Sequence, residues 1–342
     1  MEFDFGTLSS RRRWARMIFR DLNDREFSAA ASDLFGWQWK RNRVYRRLAQ
    51  EPAGPEDWRG IPAVPQRVFK EQPVFSHPLK KANLVFHTSG TTTGKPGKQR
   101  LWHDDLYREA ALRGVRRAGF FASGTDLQVL AKAPADAPHS SLGRMFAYWK
   151  KEQGGPGSMF WDREGGIDWR KFCAALSKMR KPVGIAGTAF HFVQAIDGGY
   201  GLERPLPSGS WIVETGGFKG HSREVEKKEL YREIRRFFGI PERNIWNEYG
   251  MTELSSQAYA RGASGVHEAP PWARVMIVDP RTDREARIHE IGMVRWVDLA
   301  NVDTALAVQT QDLAVRLKKG FRLIGRAPQT EPRGCSLAAE AL

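Results

Sequence analysis

Residues Thr88 to Lys98 read TSGTTTGKPGK, eleven positions of hydroxyls, glycines, one proline and two lysines, with no acid among them. Glycines let backbone N–H groups turn toward an anion, the hydroxyls add short donors, and a lysine supplies full positive charge. Upstream, Ala82 to His87 (ANLVFH) reads as a short buried strand. The loop therefore leaves a strand end, where α/β proteins bind ligands, and a phosphate is the ligand its donors suit. A flexible surface loop would have the same composition.

The P-loop of nucleotide hydrolases does not account for this stretch. That motif needs four residues between its glycines and a Ser or Thr after its lysine. Here Gly90 and Gly94 enclose only Thr91, Thr92 and Thr93, and Pro96 follows Lys95. The hydroxyl that would hold Mg²⁺ is missing, and proline has no N–H to donate at a helix start.

A chain of 342 residues with 41% apolar content can bury a large core. Its longest apolar run, Gly184 to Ile196, is short and carries His191 and Gln194, so no membrane span is expected. The start, MEFDFGTLSSRRR, has no apolar stretch of the kind that directs secretion, so the expected location is cytoplasmic. Two cysteines, Cys173 and Cys335, are too few for a disulfide framework, and no CxxC or HExxH spacing suggests zinc. Cys173 shares a helical stripe with Trp169, Phe172 and Leu176, which points to core packing.

The formal charge of +15 raises the question of nucleic acid, and residues 11 to 47 hold 11 Lys/Arg against 4 Asp/Glu. That stretch nevertheless has a helix pattern, with Asn23 and Glu26 as a capping box and an apolar stripe of Phe27, Ala30, Ala31, Leu34 and Phe35. A solvated basic face, or a surface that docks an acidic partner such as an acyl carrier protein, fits this pattern. No helix-turn-helix, zinc finger or RNP-like sequence accompanies the charge, so no nucleic-acid partner is expected.

Glu51 to Pro65 reads as a connector, and from there helices and strands alternate. Helices are predicted at Asp105–Phe120, Asp168–Met179 and from Ser222 to Gly239; strands at Leu127–Ala131, Pro182–Ala186 and Trp211–Glu214. Past residue 270 the texture turns β-rich, at Trp272–Val278, Met293–Leu299 and Ala305–Thr310. The expected fold is α/β, with mixed sheets flanked by helices and a β-rich C-terminal part.

Three more loops carry chemistry. In Glu214 to Gly220 (ETGGFKG), Gly216 and Gly217 follow a strand and permit close approach by a ring or ribose. In Asn247 to Glu253 (NEYGMTE), Tyr249 offers a face for a base, Thr252 a hydroxyl, and Glu253 a hard carboxylate for Mg²⁺. In the third, Thr310, Gln311 and Asp312 are followed by a turn at Gly325 and Arg326, an acid and a guanidinium able to hold ribose hydroxyls. Each could equally be an ordinary turn.

This order of loops resembles the adenylate-forming superfamily of acyl-CoA synthetases, luciferases and peptide-synthetase adenylation domains. The Thr88–Lys98 loop is similar to their phosphate loop but one threonine longer, so either Lys95 or Lys98 matches the family lysine. Tyr249, Gly250, Thr252 and Glu253 match Tyr-Gly-x-Thr-Glu; Asp312 matches the ribose-binding aspartate, with Gln311 in place of glycine, and Arg326 the hinge arginine. The resemblance implies ATP and Mg²⁺, with Thr88, Ser89, Gly90, Thr91, Thr92, Thr93, Gly94, Gly216 and Gly217 completing the nucleotide site and His139 near the acid's carboxylate. His191, between Phe190 and Phe192, is a second histidine suited to a pocket or to the core.

Within the superfamily the chain most resembles the LuxE-type acyl-protein synthetases of the LuxE/PaaK-like branch. The resemblance rests on Phe35–Tyr45, the phosphate loop, His139–Met145 (HSSLGRM), Thr215–Gly220, Trp272–Pro280 and the ending Arg333, Gly334, Cys335, Ser336, Leu337. It implies that Cys335 accepts the acyl group from acyl-AMP as a thioester and passes it to an acyl-CoA-reductase-type (LuxC-like) partner. It also implies an adenylate-forming core over residues 1–325, basic helical region 1–50 included, and a tail over 326–342 carrying the acceptor cysteine. No separate lid domain with its catalytic lysine is expected, because the chain ends about where such a lid begins. A CoA ligase of the phenylacetate type is the alternative enzyme, and a nucleotide-binding protein without catalysis the alternative of another class.

Overall fold

A computed structural model describes residues 3–51, 54–88, 95–217 and 222–327. It begins with helices α1 (Leu8–Ile18), α2 (Asp24–Arg41) and α3 (Arg43–Leu48), then β1 (Val64–Pro65), α4 (Val68–Glu71), β2 (Leu84–His87) and β3 (Lys98–Leu101). Next come α5 (Asp105–Ala118), β4 (Asp126–Lys132), α6 (Ser141–Glu152), β5 (Met159–Asp162), α7 (Trp169–Lys178), β6 (Val183–Thr188), α8 (Ala189–Asp197), β7 (Trp211–Thr215) and α9 (Lys227–Phe238). The final strands are β8 (Ile245–Tyr249), β9 (Ala258–Arg261), β10 (Ala273–Val278), β11 (Ile291–Asp298), β12 (Ala307–Arg316) and β13 (Phe321–Arg326).

Two compact units are interleaved along the chain. The first takes Met1–Ala110, Met251–Gln257 and Glu268–Leu342; the second takes Ala111–Gly250 and Ala258–His267. In the first unit, β12 is the centre of a five-stranded sheet, flanked by antiparallel β11 on one side. On its other side β1 pairs with its first half, in parallel, and β13 with its second half, antiparallel. β10 extends the sheet beyond β11. A separate two-stranded hairpin, β2–β3, carries the hydroxyl-rich loop beyond its last pair, His87↔Lys98. The strand before the loop is therefore as expected, but Lys98 belongs to the strand that returns.

Helix α2 forms where its capping box predicts: Asn23 Oδ1 accepts from Glu26 N, and Glu26 Oε2 from Asn23 N. Its predicted stripe, Phe27, Ala30, Ala31, Leu34 and Phe35, is buried. Helix α1 inserts Arg11 beneath the surface, 1% exposed. The guanidinium meets Asp303 at 2.7 Å and Asp105 at 2.6 Å, and donates to the His103 carbonyl at 3.1 Å. Asp303 also faces His77 Nε2 at 2.8 Å. Burial pushes the Asp303 carboxyl up, but Arg11 and His77 outweigh it and hold the group below the usual carboxylate range.

The second unit has a six-stranded sheet in the order β5-β4-β6-β7-β8-β9, parallel except for β9. Parallel strands must be covered on both faces, and these read as apolar runs for that reason. On one face Phe172, Leu176, Phe192, Leu230, Ile234 and Phe238 from α7, α8 and α9 pack with Val183, Ile185, Ile212 and Ile245 of the strands. Cys173 lies in this core at 4% exposure, as its helical stripe predicts, and burial pushes its thiol up. Helix α9 starts at Lys227, five residues after the expected Ser222, and stops at Gly239, whose φ of 67° suits glycine.

The cation of Arg11 balances two carboxylates that burial alone would not tolerate. Arg11→Met should cost about 3–5 kcal/mol of stability in chemical denaturation. A loss below about 1 kcal/mol would show that the pair is dispensable.

Candidate functional site

In a parallel sheet, ligands bind outside the carboxyl ends of the strands, where successive connections diverge. In the second unit that point lies between β4 and β6, because the chain leaves β4 for β5 on one side and returns to β6 on the other. His139 follows β4, exposed, one residue before the N-cap Ser140 of α6. His191 follows β6, buried, with Nδ1 2.9 Å from Thr188 Oγ1 and Nε2 3.9 Å from Asp162. Gly216 and Gly217 follow β7, and Tyr249 ends β8 with Gly250 next. The fold thus brings six sequence-predicted positions of this unit, His139, His191, Gly216, Gly217, Tyr249 and Gly250, to one edge of one sheet.

Gly216 has φ of 69°, a conformation that costs glycine little. Among the described residues, a Cβ on Gly216 or Gly217 would meet no atom within 4 Å. Space above two adjacent main-chain turns suits close approach by a flat ligand.

Beneath that edge the register aligns Thr188, Thr215 and Glu248 across β6, β7 and β8. The Thr215 hydroxyl donates to the Glu248 carboxylate. Burial pushes Glu248 up to about 7, with Glu214 adding to the rise against the pull of Thr215. Glu214, fully buried, accepts from Lys227 Nζ at 2.7 Å, Asn247 Nδ2 at 2.9 Å and the Tyr231 hydroxyl at 3.2 Å. Asn247 in turn is 2.8 Å from His267 Nε2. Asn247, Glu248 and Tyr249 are therefore strand residues, where the sequence suggested a loop. Tyr249 is only 8% exposed, with its ring 6.1 Å from that of His267.

In the first unit, Thr88 closes the base of the hydroxyl-rich loop. Its N–H donates to the Gly97 carbonyl at 2.9 Å, and its Oγ1 accepts from Gly97 N at 2.8 Å. Lys95 and Lys98 are exposed beside it. Ser89, Gly90, Thr91, Thr92, Thr93 and Gly94 lie outside the described residues, as does Cys335. Asp312 and Arg326, expected in loops, face each other across β12 and β13 as register partners, with Nε and Oδ1 3.3 Å apart. Thr252 is half-buried in the segment that leads to Glu253.

Glu253 is 1% exposed. One carboxylate oxygen accepts from Gln66 Nε2 at 3.2 Å, while Oε2 is buried with no partner among the described residues. Burial pushes this carboxyl up to about 7. An orphaned buried oxygen on a hard anionic ligand fits a cation. Among the described residues no group of three or more His, Cys, Asp and Glu gathers into a metal site. Mg²⁺ commonly binds through one or two carboxylates plus substrate phosphates, which is the donor set available here.

Sequence reasoning missed Glu248, Glu214, Gln66 and His267. Glu214 and Glu248 stand inside otherwise apolar strands, WIVET and IWNEY, and an acid in such a run is the signal that could have marked them. Gln66 and His267 have no comparable local signature.

No protein-family model and no curated protein matches the chain. Among solved structures it is similar to an open conformation of 2-hydroxyisobutyryl-CoA ligase in complex with 2-HIB-AMP and CoA, at 15% identity and a TM-score of 0.66, over 89% of this chain and 69% of that one. It is also similar to ATP-bound MatB from Rhodopseudomonas palustris (17% identity, TM-score 0.52, 73% and 49% covered). A third is McyG A-PCP complexed with phenylalanyl-adenylate (19% identity, TM-score 0.52, 72% and 47% covered). The chain spans about half the length of these last two. The fold is thus the mixed α/β fold of adenylate-forming enzymes. Among the described residues no helix is long and apolar enough to cross a membrane.

The raised pKa of Glu248 makes a signed prediction. Between its ordinary value of 4.5 and about 7, the folded protein keeps the proton that the unfolded chain releases. Stability should fall as pH rises through that window and level off above it. In Glu248→Gln this fall should be smaller by on the order of 3 kcal/mol between pH 4.5 and 8 in denaturation curves, with Glu253 and Asp298 supplying what remains. Parallel pH profiles for the two proteins would overturn the assignment.

Proposed function

We propose that this protein activates a carboxylic acid with ATP and Mg²⁺ to acyl-AMP, and transfers the acyl group to the thiol of its own Cys335. The single observation that carries the first half is the likeness across 89% of the chain to a ligase holding an acyl-AMP. The pairing of Asp312 with Arg326 on neighbouring strands supports it, since an acid and a guanidinium so placed suit ribose hydroxyls. The transfer to Cys335 rests on the sequence resemblance to acyl-protein synthetases.

In the first step a carboxylate oxygen of the acid attacks the α-phosphorus of ATP and pyrophosphate leaves. Thr88, with the loop from Ser89 to Gly94, would hold the phosphates, and Lys95 or Lys98 would balance the charge that develops there. Glu253 would hold Mg²⁺, which supplies charge neutralisation on the phosphates. Gly216, Gly217, Tyr249, Gly250 and Thr252 would line the nucleotide, and His139 would meet the carboxylate. In the second step the Cys335 thiolate attacks the acyl carbon and AMP leaves. A thiol of ordinary pKa near 8.5 is a few per cent thiolate at neutral pH, enough against a mixed anhydride. The acid we favour is fatty or similarly hydrophobic, and the acceptor of the thioester is a reductase of the acyl-CoA-reductase type, with an acyl carrier protein as a further partner. The cytoplasm suits all of these.

A second reading is favoured by the solved ligase bound to 2-HIB-AMP and CoA: delivery of the adenylate to CoA. The two separate by acceptor. With a panel of acids, acid-dependent ATP–pyrophosphate exchange should appear, and intact-protein mass should rise by one acyl group. Cys335→Ser should abolish the mass increase and leave exchange intact. Free acyl-CoA made equally well by that variant would favour the CoA reading, and ATP binding without exchange would defeat acid activation altogether. Asp312→Ala should raise KM for ATP by about ten- to a hundredfold, the loss of a charged hydrogen bond.

A further inference from the structure

At the end of α2 the first unit has a cavity of about 460 Å³ that contributes nothing to the activity proposed above. Lys40, Arg41, Arg46 and Lys81 border it, with Trp37 and His77 in its wall. One acid, Asp4, faces these four cations, and its Oδ1 already accepts from Gly6 N at 3.1 Å. Arg41, Arg46 and Lys81 alone, set against Asp4, leave a formal excess of two positive charges with His77 neutral.

Arg41, Arg46 and Lys81 spend little of their charge locally. Arg46 Nη1 donates to the Lys40 carbonyl at 2.8 Å, and Arg41 Nη1 reaches the Trp37 carbonyl at 3.5 Å, so each binds a carbonyl near the end of α2. A guanidinium has five N–H donors, and one is used in each case. Among the described residues neither arginine nor Lys81 forms an ion pair with a carboxylate; Arg41 lies over the Trp37 ring at 4.7 Å and Lys81 over Trp102 at 5.8 Å.

Two buried side chains complete the wall. Trp37 is 6% exposed, and its indole N–H, closed to the cavity itself, has no hydrogen-bond partner among the described residues, so the ring serves as a reporter of what the cavity holds. The side chain of His77 is 4% exposed; its Nε2 is committed to Asp303 at 2.8 Å, so its Nδ1 can donate to an anion only in the imidazolium form.

We infer that this cavity is a binding site for a doubly charged phosphate group, either inorganic phosphate or the phosphate end of a small phosphorylated molecule. Guanidinium forks match phosphate oxygens, two excess charges balance a dianion, and the volume falls in the roughly 300–1,000 Å³ range of small-molecule sites.

The test is local, because the proposed nucleotide site also takes phosphate. In ¹H–¹⁵N spectra of the full chain, the Trp37 indole resonance, assigned by its loss in Trp37→Phe, is followed during titration at constant ionic strength. Inorganic phosphate, glycerol 1-phosphate and succinate serve as probes. Phosphate or its monoester should shift the resonance saturably, and succinate should not. The double variant Arg41→Gln/Lys81→Gln, altered only at exposed positions, should weaken that response about tenfold or more. Tighter binding of the ester names a phosphorylated molecule as the ligand, and equal or tighter binding of inorganic phosphate names the free ion. The inference is overturned if no phosphate shifts the resonance, if succinate does so equally, if the double variant responds like the parent, or if only an acidic protein produces the shift.

Discussion

A carboxylate and an amide beneath the five-stranded sheet hold the segment that carries Glu253. Asp298 is fully buried and accepts four hydrogen bonds, from the main chain of Ser255, Ser256 and Ala300 and from the Ser256 hydroxyl. Burial still pushes it up to about 6. Asn301 donates to the carbonyls of Glu253 and Ala305 and accepts from Ser255 Oγ and Gln99 Nε2. Both groups are nearly saturated, which is the condition under which polar groups can be buried without large cost. The result is a rigid stretch of main chain that presents a carboxylate with one oxygen left over, a form suited to a divalent cation.

The second unit solves the same problem differently. Its strands end in a row of polar residues in register, and Glu214 ties Lys227 and Tyr231 of α9 to Asn247 of β8. Helix and sheet are locked just below the carboxyl edge, while a side chain at Gly216 or Gly217 above would meet none of the described residues. A stable base under an unfilled edge is what a ligand site on a parallel sheet requires. The histidines divide by environment: His191 is absorbed into hydrogen bonds at the start of α8, and His139 stands exposed.

Much of the fold could be read from the residues. The capping box at Asn23 and Glu26 and the stripe on α2 are local signals, and so are the apolar runs of β4, β6 and β7 and the helical period around Cys173; local rules suffice for them. Strand ends were less legible. Gln311 and Asp312, like Asn247 to Tyr249, look like loops because they are polar, yet all lie in strands, with Asp312 in register with Arg326 and Asn247 to Tyr249 in register with β7 and β9. Polar residues are tolerated in strands when a neighbour satisfies them, and the sequence does not display that neighbour.

The order of glycines, hydroxyls and acids along the chain was enough to establish an α/β architecture and the chemistry each segment could offer, because turn formation, capping and periodicity are properties of adjacent residues. Which of those groups stand together was decided only in three dimensions. Asp312 opposite Arg326, Gln66 on Glu253, Glu248 beneath Thr215 and the cationic cavity beside Trp37 and His77 each join residues that are far apart in sequence or on different elements. Strand register and burial create those contacts, and burial also shifts the acids among them; neither is a property that a stretch of sequence carries alone.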